Sequence, residues 1–508
     1  MFTTLHIMKK IILCLAMRSV FSLVLILCSV VGSLSVNAQV GVGTSTPDAS
    51  AALDVSSTTQ GLLPPRMTAA QRNSISNPSA GLMLWCSDCG SNGELQVFNG
   101  TTFTNVTGGE RERTSASLNA QIGSDIDGEA ASDKSGYSVS LSSDGTIVAI
   151  GAIFNDGNGS NSGHVRVYQY ASSTWSQLGS DIDGELAGDE SGVAVSLSSD
   201  GFTLAIGARW NDGNGTYTGH VRVYQYASST WSQLGSDIDG EASSDFSGCS
   251  VSLSGDGTTV AIGSTHNDNA YTDGGHVRVY KYASSTWSQL GIDLDGEANW
   301  DNAGFSVSLS DDGTIVAIGA NANDGGGTNS GAVWVYQYAN STWSKLGSNI
   351  NGEAAGDKSG YSVSLSSDGT IVAIGAIYNG GNGSNSGHVR VYQYASSTWS
   401  QLGSDIDGEL AGDLSGYSVS LSSDGTIVAI GTPYNDGNGL NSGHVRVYQY
   451  ASSTWSQLES DIDGESADDF LGWSVSLSSD GTIVAIGAIN NDGNGSYSGH
   501  VRVYGASL

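Results

Sequence analysis

The sequence predicts an all-β fold, a seven-bladed β-propeller of four-stranded antiparallel blades, from three observations. An Asp-Gly step recurs with its glycine at Gly145, Gly201, Gly257, Gly313, Gly369, Gly425 and Gly481, 56 residues apart and without insertion or deletion. The first six copies each hold four short apolar stretches separated by Gly, Ser, Asn and Asp. The last copy also stops one strand short, and a matching segment stands ahead of the first. A period of this length marks units too small to bury their own apolar face, so each must stack on its neighbours.

The four strands are read in the first copy. Tyr137–Leu141 alternates apolar residues with serine, as a half-covered strand does, and Ile147–Ile150 is apolar throughout, as expected when both faces are covered. His164–Tyr170 alternates again, and Trp175–Leu178 is a short outer strand. Tight turns at residues 142–145 and 171–174 join the first pair and the last. The other connections, residues 153–163 and 179–192, are long and glycine-rich. The final copy ends at Val501–Tyr504, whereas Leu118–Gly123 aligns with Thr174–Gly179. That offset closes a ring, whereas an open solenoid would call for polar capping units.

The chain has 508 residues, divided by this reading into a signal peptide at 1–38, a small irregular or β leader module with linker at 39–117, and the propeller at 118–508. Lys9, Lys10 and Arg18 precede the apolar run Val20–Val31, and Val36-Asn37-Ala38 offers small residues for cleavage. The expected location is therefore secreted or cell-surface, with no membrane insertion after the signal is removed. The CxxC pair Cys86 and Cys89 lacks a second pair for zinc and reads as a local disulfide. Cys249 stands where sister copies carry Tyr or Phe. LQVFNGTTFTNV, with Asn99-Gly100 between its halves, reads as a hairpin.

Fifty acidic residues against eighteen Lys and Arg give a formal net charge of −32, which repels nucleic acid and favours cations or basic partners. In a meander the long connections emerge together on one face, so most of the acid gathers on one rim. There the recurring Ser-Asp-Ile-Asp-Gly-Glu has two readings. Alternate acids could aim at one cation, with Asp125, Asp127 and Glu129, then Asp181, Asp183 and Glu185, Asp237, Asp239 and Glu241, and Asp405, Asp407 and Glu409 as the candidate ligands. Asn155, Asp156 and Asn158 of the neighbouring loop would complete an oxygen cage for calcium, the candidate cofactor. Alternatively, these residues cap turns and accept backbone N–H bonds. The fifth copy carries Asn349 and Asn351, which weakens any cation site there.

His164 and Arg166 recur in six copies, two residues apart and so on one strand face, and are expected to make hydrogen bonds between blades. The repeated tryptophans (Trp175 and its equivalents) are expected to pack against the outer strands. Residues that break the repeat on the acidic face, namely Arg209, Trp210, His266, Tyr271 and Trp300, are the candidate ligand contacts, with Trp473 near the axis. Near-identical copies supply no unique nucleophile or acid–base pair, so no catalytic residue is assigned.

Ser135-Gly136-Tyr137-Ser138-Val139, Ala303-Gly304-Phe305, Gly151-Ala152-Ile153 and Gly431-Thr432-Pro433 resemble the FG and GAP portions of FG-GAP repeats, the blades of the integrin α-subunit propeller. That resemblance implies a binding or adhesion module for an extracellular protein or glycan. It also implies a DxDxDG-like calcium loop between the first and second strands. Here that position reads Ser142-Ser143-Asp144-Gly145, with a single carboxylate, so the family's calcium site is not carried over. TPDASAALDV and GLLPPRMT resemble leader modules of secreted proteins from Bacteroidetes-type bacteria. The alternatives are an extracellular carbohydrate-active enzyme on a propeller scaffold, which needs one blade with a distinct cluster, and a passive spacer.

Overall fold

The computed structural model describes residues 120–505 without interruption, together with Leu118 and short stretches between residues 40 and 105. The signal segment, Cys89 and the linker before Leu118 lie outside the described residues. The chain divides into two compact units, Met1–Gly109 and Glu110–Leu508.

In the first unit, Val40–Val42 pairs in parallel with Leu53–Val55. Arg66–Met67, Met83–Cys86, Glu94–Phe98 and Phe103–Asn105 form a four-stranded sheet. Its last two strands are antiparallel, with Phe98 opposite Phe103, which is the hairpin read from the sequence. Cys86 is buried and disulfide-bonded.

The second unit holds seven sheets, each built as an antiparallel meander from the axis outward. Blade one comprises Ser135–Leu141, Ile147–Ala152, His164–Ala171 and Thr174–Gln177. A fifth strand, Ile182–Asp183, lies inside what the sequence offered as a loop and pairs with His164 and Val165. Two residues are too few to show a period, so nothing in the pattern marked it. Every second strand is buried throughout (Ile147–Ala152 in blade one), because sheets cover it on both faces.

The core is a set of seams between facing sheets. Ile147, Ala149, Val165 and Val167 of blade one pack on Val195, Leu197, Leu204 and Ile206 of blade two. Burying each Val, Leu or Ile stabilises the fold by about 1.5–3 kcal/mol. The last seam repeats the first: Ile483, Ala485, Val501 and Val503 of blade seven meet Val139, Leu141, Val148 and Ile150 of blade one.

Blade seven consists of Leu471–Leu477, Ile483–Ala488 and His500–Gly505, completed by Ile126–Asp127 from the start of the unit. Gln121 bridges to Tyr504, Val501 stands opposite Ile126, and the Gly505 amide donates to the Ala120 carbonyl at 2.9 Å. The closing strand is therefore the one the offset ends called for.

At the tight-turn end of the inner strands, backbone hydrogen bonds run round the axis. Ser143 donates to Ser199, Ser199 to Gly255, Gly255 to Asp311, Asp311 to Ser367, Ser367 to Ser423, Ser423 to Ser479, and Ser479 back to Ser143, all at 2.8–2.9 Å. The same peptide position in every blade thus donates one way and accepts the other, and the belt has no free end.

Candidate functional site

The site is on the face of the long connections, opposite that belt. The belt face also carries the Asp-Gly turns. There Asp144 Oδ1 accepts the Thr146 amide at 2.9 Å and the Ser142 hydroxyl at 2.7 Å. Burial opposes ionisation, but these donors outweigh it and hold the carboxyl below its ordinary value. Asp144 is occupied as a turn residue, which is how the sequence read it.

On the acidic face, the oxygens offered for a cage are largely spent on the loops themselves. Asn155 Oδ1 accepts the Gly157 amide at 2.8 Å, and its Nδ2 donates to Asp133 at 3.1 Å. Asp156 Oδ1 accepts the Asn161 amide at 2.8 Å, while the Asn158 side chain donates to the carbonyls of Gly184 and Glu185 at 2.9 and 3.0 Å. Nor do the alternate acids converge. Asp125 stands with Glu465 and His500, whereas Glu129 stands with His164 and Asp181 of the next blade. Glu185 likewise joins His220 and Asp237, Glu241 joins His276 and Asp293, and Asp405 joins Glu353 and His388. Glu409 Oε2 lies 3.9 Å from His444 Nδ1. Asp127, Asp183, Asp239 and Asp407 fall outside these groups; burial, then the neighbouring aspartate, raises each carboxyl. What those four positions supply is a backbone oxygen: Arg166 Nη2 donates to the Asp127 carbonyl at 2.7 Å, across the seam from blade seven. Arg222, Arg278 and Arg446 repeat this bond to Asp183, Asp239 and Asp407 at 2.7–2.8 Å.

The arginines thus make the inter-blade bonds expected of the His–Arg pair, but the histidines do not. His164, His276, His388, His444 and His500 are buried, and neither ring nitrogen of any of them has a hydrogen-bond partner. Burial, then the adjacent arginine, pushes their pKa values down to about 4, so the rings are neutral. The sequence showed that these histidines recur, but their fit beside Glu and Asp from separate connections required the fold.

A second feature lies at the axis. At the position of Tyr137, at the acidic-face end of the inner strands, the aromatic residues of five blades lie against one another. Phe305–Tyr361, Tyr361–Tyr417, Tyr417–Trp473 and Trp473–Tyr137 have ring centroids 4.9, 5.0, 4.7 and 5.7 Å apart. Five rings thereby form a continuous arc at the axial mouth. Burial pushes the Tyr361 hydroxyl up to about 12 and raises that of Tyr417 further.

The arc is interrupted at Val193 and Cys249, and an ion pair occupies that sector. Arg209 reaches Glu190 Oε2 through Nη2 at 2.9 Å and Nε at 3.2 Å, and the Glu190 side chain is only 2% exposed. Arg209 also lies over the Trp210 ring at 5.4 Å. From Trp210 a chain of rings runs through Tyr217 and Phe246 to His266, with spacings of 5.9, 6.3 and 4.7 Å. Three of the five sequence candidates, Arg209, Trp210 and His266, are therefore linked. Tyr271 and Trp300 are exposed on neighbouring loops and join no ring cluster among the described residues. Glu190 gave no sequence signal, since it is one acid among many.

Two families match the chain. A phage tail like trimerisation region matches residues 41–121. The FG-GAP repeat matches residues 126–168, 292–336, 351–392, 406–448 and 460–504. Five of the seven copies therefore match the FG-GAP repeat, which supports a propeller-type repeat protein. The chain matches no curated protein. Solved structures similar to it include a putative 6-phosphogluconolactonase from Bacteroides uniformis, at 10% identity and TM-score 0.44 over 74% of this chain and 94% of that one. A periplasmic gluconolactonase of Pseudomonas aeruginosa is similar at 15% identity and TM-score 0.42, over 68% of this chain and 92% of that one. The FG-GAP signature has a physical meaning here. The FG glycine of each blade and the GAP glycine of the blade before it meet at the seam, as Gly192 does with Gly151.

Proposed function

We propose that this protein is a secreted or cell-surface binding module that recognises an extracellular protein or glycan at the axial mouth and rim of its acidic face. The observation that carries the reading is the five-ring arc joined to the Arg209–Glu190 pair. Aromatic faces beside a fixed charged pair suit sugar rings or apolar and basic peptide side chains. Trp210, Tyr217, Tyr271 and Trp300 extend that surface outward and are 40–60% exposed. The near-identity of the blades supports a non-catalytic role, and the acid of the rim suits a basic protein patch over an anionic one.

The N-terminal match to a trimerisation region suits display in threes, which would multiply a weak ligand contact into avidity. The propeller chain enters at the belt face, where Leu118 and Ala120 lie beside the end of blade seven.

A glycan array and a panel of matrix proteins, probed with the full chain, test the reading. Trp473→Val and Tyr417→Val borrow the residue blade two already carries at Val193, so the fold should tolerate them. Loss of the captured ligand by tenfold or more is expected; unchanged capture by both variants would refute the axial mouth. Sedimentation equilibrium should return three chains per particle, and a monomer would refute the display in threes.

A further inference from the structure

We infer that the junctions of blades one, two, three, five and six with the connection preceding each are binding sites for a divalent transition-metal ion of the zinc class, each formed by one His, one Glu and one Asp. This inference is independent of any ligand at the axial mouth.

In blade one the ligands are His164 Nδ1, a Glu129 carboxylate oxygen and an Asp181 carboxylate oxygen, all within 4.8 Å of one another. His164 and Asp181 belong to blade one, whereas Glu129 lies on the connection leaving blade seven. The imidazole is 99% buried, and neither of its nitrogens has a partner. An orphaned buried ring nitrogen is costly unless something coordinates it. Its Nδ1 faces Glu129 Oε2 at 3.9 Å. The nearby Arg166 touches the other oxygen, Oε1, at 3.6 Å and leaves Oε2 to the imidazole. The division recurs in blade two (His220 at 3.9 Å and Arg222 at 3.8 Å from Glu185) and in blade six (His444 at 3.9 Å and Arg446 at 3.6 Å from Glu409). His444 Nδ1 also stands 3.6 Å from Asp461, and His388 Nδ1 stands 3.8 Å from Asp405. In blade three the three ligands are Glu241, His276 and Asp293, and a buried oxygen of Asp295, itself without a partner, also faces His276 Nδ1 at 3.9 Å.

Ligands about 2.0–2.1 Å from a tetrahedral ion are roughly 3.4 Å apart, so the His–carboxylate pairs at 3.6–3.9 Å must close by a few tenths of an ångström, and the remaining ligand atoms, all within 4.8 Å of one another, by side-chain rotation of about 1 Å. Neutral imidazole with two carboxylates favours zinc-class ions over calcium, which takes six to eight oxygens.

The two other blades supply their own cation. In blade four, Ala332 replaces the histidine, Asn349 the aspartate and Lys345 the glutamine. There Lys345 Nζ sits between Glu297 Oε1 and Asn349 Oδ1, the latter at 2.8 Å. In blade seven, Arg502 donates to both oxygens of Asp125 at 3.0 Å and also pairs with Glu465. Where the imidazole is missing, an ammonium lies at the site; where it meets a bidentate arginine, a guanidinium does. Blades one, two, three, five and six leave the place to an ion from solution.

The test is a zinc titration of the untagged full chain by calorimetry, with metal analysis after desalting and cobalt as an optical probe. Five equivalents per chain at micromolar zinc are expected, with the intense visible absorption of tetrahedral cobalt. His164→Ala copies the alanine that blade four already carries and should remove one equivalent in five. Rebuilding blade four (Ala332→His, Trp334→Arg, Lys345→Gln, Asn349→Asp) should add one. The inference is overturned if zinc does not bind at micromolar concentration. It is equally overturned if the stoichiometry ignores both changes, or if calcium competes at equal concentration.

Discussion

Gly151 and Gly192 face each other across the seam between blades one and two. A Cβ on Gly151 would stand 2.1 Å from the Gly192 carbonyl oxygen, the same oxygen that accepts the Ser138 hydroxyl at 2.7 Å. Gly192 itself has φ +93°, a conformation that other residues adopt only with strain. Gly151→Ala must therefore push the neighbouring blades apart by backbone movement. A loss of about 2–4 kcal/mol is expected, as for overpacking added to a broken seam bond, and urea denaturation measures it. Ser138→Ala, which removes only the hydroxyl, should cost about 1 kcal/mol.

Arg209 and Glu190 form a buried pair that blade one replaces with Ile153 and Lys134. Arg209→Ile alone leaves the Glu190 carboxylate buried without its guanidinium and should cost about 3–5 kcal/mol. Adding Glu190→Lys restores the blade-one combination and should recover most of that loss. A double-mutant cycle in urea reads the coupling.

Acid should weaken the ring through its histidines. Each of the six repeated rings has its pKa pushed from an ordinary 6.5 to about 4 by burial. Between these values the unfolded chain binds a proton that the folded one refuses, so stability falls as pH falls from 6.5 towards 4. The contribution is fully present above 6.5 and stops changing below 4. Each histidine adds up to about 1.4 kcal/mol per pH unit in that window. Melting temperature against pH checks the slope, and His220→Ala should flatten it by one-sixth.

Trp231 donates its indole N–H to the Leu178 carbonyl of the blade before at 2.7 Å, and Trp175 does the same to Ile122 at the closing seam. Trp231→Phe keeps the ring and should cost about 1 kcal/mol. Deleting residues 1–124 removes the Trp175 acceptor and the partner of Tyr504 together. That chain is expected to melt far lower and to self-associate through the exposed edge of blade seven, which light scattering during a thermal ramp would show.

The ring was legible because its signals are periodic. The 56-residue spacing, the continuous apolar run at Ile147–Ile150 and the orphan segment at 118–123 each had one structural meaning, and Gln121 beside Tyr504 is that meaning. The outer-strand role of the repeated tryptophans was also legible, since Trp175 opens a short outer strand. The site was less so. Alternation in Asp125-Ile126-Asp127-Gly128-Glu129 suggested a shared direction, but Ile126–Asp127 pairs into blade seven while Glu129 has already crossed to blade one. Likewise, His164 gave no sign of its company, because Glu129 and Asp181 reach it from connections 35 residues before and 17 after. The axial arc was partly legible: Trp473 and the Cys249 substitution marked the position. Contact between successive rings follows only from closure.

The strand that closes the ring is also the one through which the chain enters the propeller. Residues 120–127 run along blade seven from the belt face towards the acidic face, held by Ile122 to Val503 at 2.7 Å, Gly505 to Ala120 at 2.9 Å and Gly128 to Gly499 at 2.8 Å. A pull applied between residue 120 and the acidic face would act along that strand. Its bonds would then be loaded in shear and all at once, so the junction that looks like the weak point of the circle would yield only when several hydrogen bonds break together.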